Sequence, residues 1–450
     1  MRARWVFGAC VVVSLAVVPA CTCAKSSPTP AESGDGAVTV VRAMPGDAME
    51  PARFSAPIAA TRIAGGVVLV AGLVVPRATI AITRIEAGGQ TSFTVDALRD
   101  VKWSQDAELR LFPAGEGAVL VWRGLRDGKS VRQMVMIGPR GEVKGAPAEI
   151  GAAACVTEDG IAWTERAPAG ATRARTRTWA NPAPHDVAVV SSERDPLLVC
   201  AAHRVFVLGE GENDITLAGA SSEGGAPLTM MRAQDFGEDD SRDHGEYTVG
   251  DDLGFVRVAS SGALAMRELH GDALGPWRKL TSMIARDDDV VGADGDLRSA
   301  IVVYTREESE SCAGDPPSGV SATQYSGVGA SSVHAVRIDR ATNAESVLDI
   351  APAECNRDVG PFWTGGAGNK LVVAWAERVP KRDDTSAPIA GLAYRLLDGA
   401  TLLPITRIAR PADAIVDAGC DKEHCYVVAL VRAPGTDEML PEVAQVIRYP

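Results

Sequence analysis

The chain has 450 residues and a formal net charge of −13, and 46% of its residues are apolar although only 5% are aromatic. A chain of this length can bury a large hydrophobic core. Its acidic balance disfavours nucleic acid and anionic lipid headgroups as partners, because like charges repel. Neutral, cationic and protein partners remain open.

The N-terminus has the features of a signal peptide. Arg2 and Arg4 precede an uncharged apolar stretch, Trp5 to Ala20, that is too short to span a bilayer comfortably. We therefore predict that residues 1–20 direct the chain out of the cytoplasm and are then removed.

The end of this stretch, Val18-Pro19-Ala20-Cys21, resembles the bacterial lipobox, although Pro19 departs from the usual pattern. The resemblance implies that Cys21 receives a diacylglycerol, becomes the new N-terminus and holds the protein to a membrane. Thr22 after this cysteine implies sorting to the outer membrane, where the protein would face the periplasm or the exterior. Ordinary signal-peptidase cleavage is the alternative, because Val18 and Ala20 also fit its small-residue site.

Residues 21–51 are predicted to be a flexible tether, and residues 52–450 the folded domain. The tether is rich in Ser, Pro and Gly and has only a brief apolar island, Ala37 to Val41. Such a segment buries too little apolar surface to offset its ordering entropy.

The six cysteines of the folded domain predict three disulfides, which suits an oxidising compartment. A zinc site that also uses His334 or His424 is the alternative, but no Cys-x-x-Cys pair supports it. The predicted pairs are Cys155 with Cys200, Cys312 with Cys355, and Cys420 with Cys425.

Short apolar runs bounded by turn residues recur along the domain, and they predict an all-β protein. Four runs end in a similarly placed aromatic residue, namely Trp122, Trp163, Tyr304 and Trp375, and four further runs lack it. The other four runs are Val67 to Gly72, Arg204 to Gly209, Glu246 to Asp251, and Cys425 to Val431.

Repeats of this size predict a single β-propeller of seven or eight blades, in which each aromatic residue packs at an equivalent place. The C-terminal segment Glu442 to Arg448 is expected to pair near Phe54 to Ile63 and close the ring. Two β-sandwich domains, divided near residue 235, are the alternative fold.

The combination of lipid anchor and repeat resembles the bacterial outer-membrane assembly lipoproteins that carry an eight-bladed propeller. It implies a binding or scaffold module of the cell envelope, whose partner is another envelope protein or an extracellular polymer. This chain lacks the regular tryptophan docking repeats of those proteins. We predict no cofactor and no nucleic-acid partner.

The densest polar segment, Phe236 to Glu246, offers weak candidates for a metal site in Asp239, Asp240, Asp243 and His244. Charge runs of this kind are usually solvated loops. The sequence has no catalytic motif, which lowers the expectation of an enzyme without removing it. The alternative functions are an envelope hydrolase or lyase, whose active site is built from propeller loops, and a surface protein without a specific ligand.

Overall fold

A computed structural model gives the architecture of the chain between Thr39 and Tyr449. Among the residues that it describes, no helix is long and apolar enough to cross a membrane. The described residues are 39–43, 53–75, 79–86, 91–98, 108–167, 171–180, 183–190, 196–210, 215–221, 228–231, 244–258, 262–271, 273–283, 289–295, 298–308, 330–353, 358–367, 370–378, 389–399, 401–408, 412–420, 425–431 and 443–449.

Strands form where short runs rich in β-branched and aromatic residues lie between turns, as in VVLVAGLVV of β3. Apart from one 3-10 turn at Ala64–Gly66, the described elements are strands. In chain order they are β1 (Thr39–Ala43), β2 (Arg53–Ile63), β3 (Val67–Val75), β4 (Thr79–Ile85), β5 (Thr91–Leu98), β6 (Leu109–Ala114), β7 (Gly117–Arg126), β8 (Lys129–Ile137), β9 (Val143–Ile150), β10 (Ala154–Val156), β11 (Gly160–Arg166), β12 (Thr172–Thr178), β13 (His185–Val190), β14 (Leu197–Cys200), β15 (Arg204–Glu210), β16 (Ile215–Ser221), β17 (Leu228–Met231), β18 (His244–Val249), β19 (Asp252–Val258), β20 (Ala263–His270), β21 (Ala273–Leu274), β22 (Arg278–Met283), β23 (Asp289–Gly295), β24 (Ser299–Glu308), β25 (Ala330–Asp339), β26 (Glu345–Ala351), β27 (Asp358–Ala367), β28 (Lys370–Arg378), β29 (Ile389–Asp398), β30 (Thr401–Leu402), β31 (Thr406–Ile408), β32 (Ala412–Cys420), β33 (Cys425–Val431) and β34 (Val443–Tyr449).

The described strands pair antiparallel in eight sheets of four or five strands, and we call each sheet a blade. Blades 1 to 4 are β2–β5, β6–β9, β10–β13 and β14–β17, and blades 5 to 7 are β18–β22, β23–β26 and β27–β31. Blade 8 consists of β32, β33, β34 and β1.

Each blade packs against the next through a buried hydrophobic cluster, and the clusters close a ring. Ile82 of blade 1 packs with Leu120 of blade 2, and Val428 of blade 8 packs with Val70 of blade 1. The second strands are buried on both faces, which explains their continuous apolar sequence. The described strands form a β-propeller with eight blades, and the two-sandwich alternative is excluded.

The N-terminal strand closes the ring. β1 pairs antiparallel with β34, with Val41 opposite Val446, and so supplies the fourth strand of blade 8. The predicted pairing of the C-terminal segment with Phe54–Ile63 was wrong, because the two edges of β34 pair with β33 and β1. Residues 39–43 also lie within the segment predicted as a tether, so the folded body begins before residue 52. The apolar island at 37–41 was the sequence signal for this strand.

The repeated aromatic residues confirm the predicted equivalence of the blades. Trp122, Trp163, Tyr304 and Trp375 lie in the second strands of blades 2, 3, 6 and 7, and each is at most 3% exposed. All four contribute to the cluster that joins their own blade to the preceding one.

One predicted copy of the second strand was wrong. The run 246–251 covers the end of β18, the first strand of blade 5, and the turn after it, whereas the second strand is β19. Burial in β18 alternates from Tyr247 to Val249, whereas residues 253–256 of β19 are continuously buried. A strand buried on one face therefore resembled the repeat in composition only.

Two of the three predicted disulfides are confirmed. Cys155 of β10 bonds to Cys200 of β14 and joins blades 3 and 4, with a Cα–Cα distance of 5.7 Å. Cys420 and Cys425 bond across the turn between β32 and β33. The predicted pair of Cys312 with Cys355 lies outside the described residues.

Candidate functional site

The two faces of the propeller differ in the length of their connections. In a blade of antiparallel strands, the turns between strands one and two and between strands three and four lie at one end. We call this end the short-turn face; its turns include 115–116, 201–203 and 250–251. The opposite end carries the connections 232–243, 309–329, 379–388 and 432–442, and we call it the long-connection face.

Backbone hydrogen bonds fasten neighbouring blades at the short-turn face. The Glu158 amide donates to the Ala202 carbonyl at 2.7 Å, and the Ala202 amide donates to the Gly250 carbonyl at 2.8 Å. His203 Nδ1 lies 2.7 Å from Asp159 Oδ2, and this hydrogen bond raises the pKa of His203. The contacts across blades 3, 4 and 5 give this face a structural role.

A Ser-His-Asp relay lies at the long-connection face of blade 6. Ser332 Oγ is 2.8 Å from His334 Nε2, and His334 Nδ1 is 2.9 Å from Asp349 Oδ1. Ser332 and His334 are two residues apart on β25 and so share a face of the sheet, while Asp349 lies directly opposite His334 on β26. The Tyr304 ring stacks on the His334 ring, with centroids 5.4 Å apart.

This order of atoms is that of a nucleophile, a base and an orienting carboxylate. The nucleophile of an open active site is accessible to substrate, whereas Ser332 is only 1% exposed. The Ser332 hydroxyl also lies 3.4 Å from the Arg306 carbonyl oxygen. The described geometry therefore has the hydrogen bonds of a catalytic relay without an exposed nucleophile.

Blades 3 and 7 have other polar groups beside their aromatic residue. In blade 3 the Trp163 indole donates to Glu165 at 2.7 Å, and Arg173 contacts the same carboxylate. Burial opposes ionisation of Glu165, but these hydrogen bonds outweigh it and lower its pKa. In blade 7 Arg407 donates to the buried Glu377 at 3.0 Å. The relay of blade 6 is thus one of several polar groups that cap a buried aromatic side chain.

The predicted metal candidates are not brought together in the described residues. Asp239, Asp240 and Asp243 lie outside them, and His244 begins β18, with only its backbone described. Among the described side chains, no group of three or more His, Cys, Asp or Glu residues is placed to hold a metal ion. The proposed lipid site, Cys21, also lies outside the described residues.

The relay could not be predicted from the sequence, because Asp349 is fifteen positions from His334 along the chain. The pattern Ser332-Val333-His334 was visible, since alternate residues of a strand share a face. Only the register of β25 and β26 shows which carboxylate completes it.

Comparison with solved structures returns β-propellers. The chain is similar to the β-propeller domain of the trilobed protease from Pyrococcus furiosus, with 11% identity and a TM-score of 0.46 over 76% of this chain and 95% of that one. It is also similar to the WD40 domain of SCAP from fission yeast, with 7% identity and a TM-score of 0.46 over 92% and 98% of the two chains. A third similar structure, the polysaccharide lyase Uly1, has 7% identity and a TM-score of 0.42 over 90% and 91%.

These likenesses concern the fold alone. No protein-family model matches the chain, and no curated protein matches it.

Proposed function

We propose that this chain is an exported bacterial lipoprotein whose propeller is a binding or scaffold module of the cell envelope. The proposed anchor is a lipid on Cys21 at the outer membrane, and the proposed partner is another envelope protein or an extracellular polymer. The signal-peptide features of residues 1–20 support export. The two disulfides support an oxidising compartment.

The observation that supports binding best is the unequal length of the connections on the two faces. Long loops on a rigid scaffold are where proteins usually place ligand contacts. Here the ring is held by buried clusters between blades, and the short-turn face is fastened by hydrogen bonds. The long-connection face is therefore the proposed binding surface.

Site-specific photo-crosslinking in intact cells tests this surface. A crosslinking amino acid at Leu125, which is 36% exposed, or at Leu197, which is 40% exposed, reports on the long-connection face. The exposed residues Arg140 and Thr342 report on the short-turn face as matched controls. We expect discrete higher-mass adducts from the first pair only. Equal adducts from both faces, or none from Leu125 and Leu197, would contradict the proposal and favour a surface protein without a specific ligand.

The anchor is tested separately by metabolic labelling with palmitate. Cys21→Ser should abolish the label and leave the precursor unprocessed by the lipoprotein peptidase. Acyl chains contribute about 0.8 kcal/mol for each buried methylene, so the wild-type protein should fractionate with membranes. Label that persists in Cys21→Ser would refute the lipid site, and unlabelled, processed wild-type protein would indicate ordinary signal peptidase.

The hydrogen bonds of the relay favour a second candidate function, an envelope hydrolase, which requires that the buried Ser332 become accessible to the substrate. In that reaction Ser332 Oγ attacks an acyl carbon, His334 Nε2 takes the hydroxyl proton and returns it to the leaving group, and Asp349 holds the imidazole. Water then releases the acyl group from the serine.

A fluorophosphonate probe tests this candidate, because it labels activated serines. Labelling of the wild type that is lost in Ser332→Ala and in His334→Gln would support the hydrolase. Threonine at position 332 keeps a hydroxyl and serves as the folding control. Absence of labelling in a folded wild-type protein would leave the relay with a structural role.

A further inference from the structure

Arg257 lies near the end of β19, where blade 5 meets the long-connection face. Arg257 lies opposite Ala265 of β20, and Phe255, two positions earlier on β19, lies opposite Arg267. Alternate residues of a strand share a face, so Arg257 is on the same face as Phe255, which packs toward blade 4. The side chain is partly exposed, but its Nε and Nη1 atoms are buried and have no hydrogen-bond acceptor among the residues that the structure describes.

Two other arginines whose Nε is buried, Arg175 and Arg340, lie against carboxylates. Arg175 contacts Glu165 at 3.3 Å, and Arg340 contacts Glu268 at 2.9 Å. Arg257 differs, because its described contact is with an aromatic ring and not with an oxygen. A buried cationic donor without an acceptor costs free energy, so its retention points to an acceptor from outside the described residues.

Trp277 holds the Arg257 guanidinium in a fixed orientation. The guanidinium carbon lies 4.5 Å from the centre of the indole ring, within the range of a cation–π interaction. Arg267 lies 5.8 Å from the same ring centre and donates through Nε to the Gly275 carbonyl. The indole itself packs on the hydrophobic cluster between blades 4 and 5. Arg257 is thus oriented before any ligand arrives.

We propose that Arg257 binds an oxyanion, the carboxylate or phosphate group of a ligand, on the side of blade 5 that faces blade 4, near the long-connection face. The planar guanidinium fork matches such groups with two parallel hydrogen bonds. The proposal rests on the proposed function in that it names the chemical group which the binding surface recognises. The net charge of −13 disfavours a polyanion as the ligand and favours one local anionic group.

The chain's own acidic segment offers a competing acceptor. Residues 232–243, which include Asp239, Asp240 and Asp243, join blade 4 to blade 5 at the same face. His244 lies opposite Arg257 in the register of β18 and β19. A carboxylate of this segment would satisfy Arg257 without a ligand. The experiment therefore includes a variant in which Asp239, Asp240 and Asp243 are all replaced by Asn.

Thermal unfolding of the full-length purified protein tests the proposal. Sodium glucuronate and inorganic phosphate are titrated separately, with sodium chloride adjusted to constant ionic strength. We expect a saturable rise in Tm with at least one of the two anions. Arg257→Gln should abolish the rise, and Arg257→Lys, which keeps the charge without the fork, should weaken binding about tenfold. The comparison of glucuronate with phosphate shows whether Arg257 prefers a carboxylate or a phosphate.

Arg110→Gln is the matched control, because Arg110 is a 58% exposed, ion-paired arginine on blade 2. Its variant should bind the anion like the wild type. The triple Asn variant should also bind with unchanged affinity if the ligand is the acceptor. A rise in Tm that appears only in the triple variant would overturn the proposal and assign Arg257 to the chain's own carboxylates.

A wild-type protein that shows no saturable rise with either anion would also overturn it, as would a rise that Arg257→Gln leaves intact. Circular dichroism of Arg257→Gln confirms that the variant is folded. The anion titration is independent of the crosslinking test, because crosslinking detects partners in cells whereas the titration detects a small anion in solution. Failure of one is therefore distinguishable from failure of the other.

Discussion

Removal of the disulfide between blades 3 and 4 should cost far more stability than removal of the disulfide within blade 8. Cys155 and Cys200 are 45 positions apart, whereas Cys420 and Cys425 are 5 apart. In the chain-entropy model, a bridge stabilises by restricting the unfolded chain, and its effect grows with the logarithm of the loop length. The model gives about 4 kcal/mol for the long loop and about 2 kcal/mol for the short one.

Urea denaturation of two double variants, Cys155→Ala with Cys200→Ala and Cys420→Ala with Cys425→Ala, measures this difference. The second variant is the control, since it removes the same chemistry from a short loop. Both proteins should retain the far-ultraviolet circular dichroism of the wild type under native conditions. Equal losses of unfolding free energy, or a larger loss in the short-loop variant, would refute the argument from loop length.

Two further predictions concern buried polar groups. Trp163→Phe should cost about 1–3 kcal/mol more than Trp375→Phe in urea denaturation, because the Trp163 indole donates to Glu165 whereas the buried Trp375 indole nitrogen has no acceptor in the described part of the chain. Equal costs would contradict this reasoning. Burial raises the pKa of Asp417 to about 6, although the Tyr426 hydroxyl donates to it at 2.7 Å. Since this folded-state pKa lies above the value of about 3.9 for unfolded aspartate, stability should fall as the pH rises from about 4 to 6 and then level off. Asp417→Asn should remove that fall and gain about 1–3 kcal/mol at pH 7, and an unchanged pH profile would disprove it.

The sequence was informative wherever local pattern and packing agree. The second strand of a blade is buried on both faces, so runs such as VVLVAGLVV could be recognised without coordinates. Cys155 lies eight positions before Trp163 and Cys200 seven before Val207, and these matching places in consecutive repeats predicted a bridge between neighbouring blades. Both inferences depend on residues that repeat at regular intervals along the chain.

Strands buried on one face were harder to assign. Residues 246–251 resemble a second strand in composition, but Tyr247 and Val249 alternate with less buried residues, as expected for the first strand of a blade. The strand Thr39–Ala43 was missed because five residues in a polar segment give little signal alone. It is a strand because the last blade needs a fourth partner for β34.

The sequence by itself determined the all-β class, the repeat and two of the disulfide pairs. The export signal at residues 1–20 stays a prediction from the sequence. The tertiary structure alone decided the number of blades, the strand that closes the ring, and which polar groups meet. Asp349 reaches His334 through the register of two strands, and Trp277 reaches Arg257 from a different part of blade 5. Such contacts join residues that are distant along the chain, and the pairing and packing that create them leave no periodic trace in the sequence.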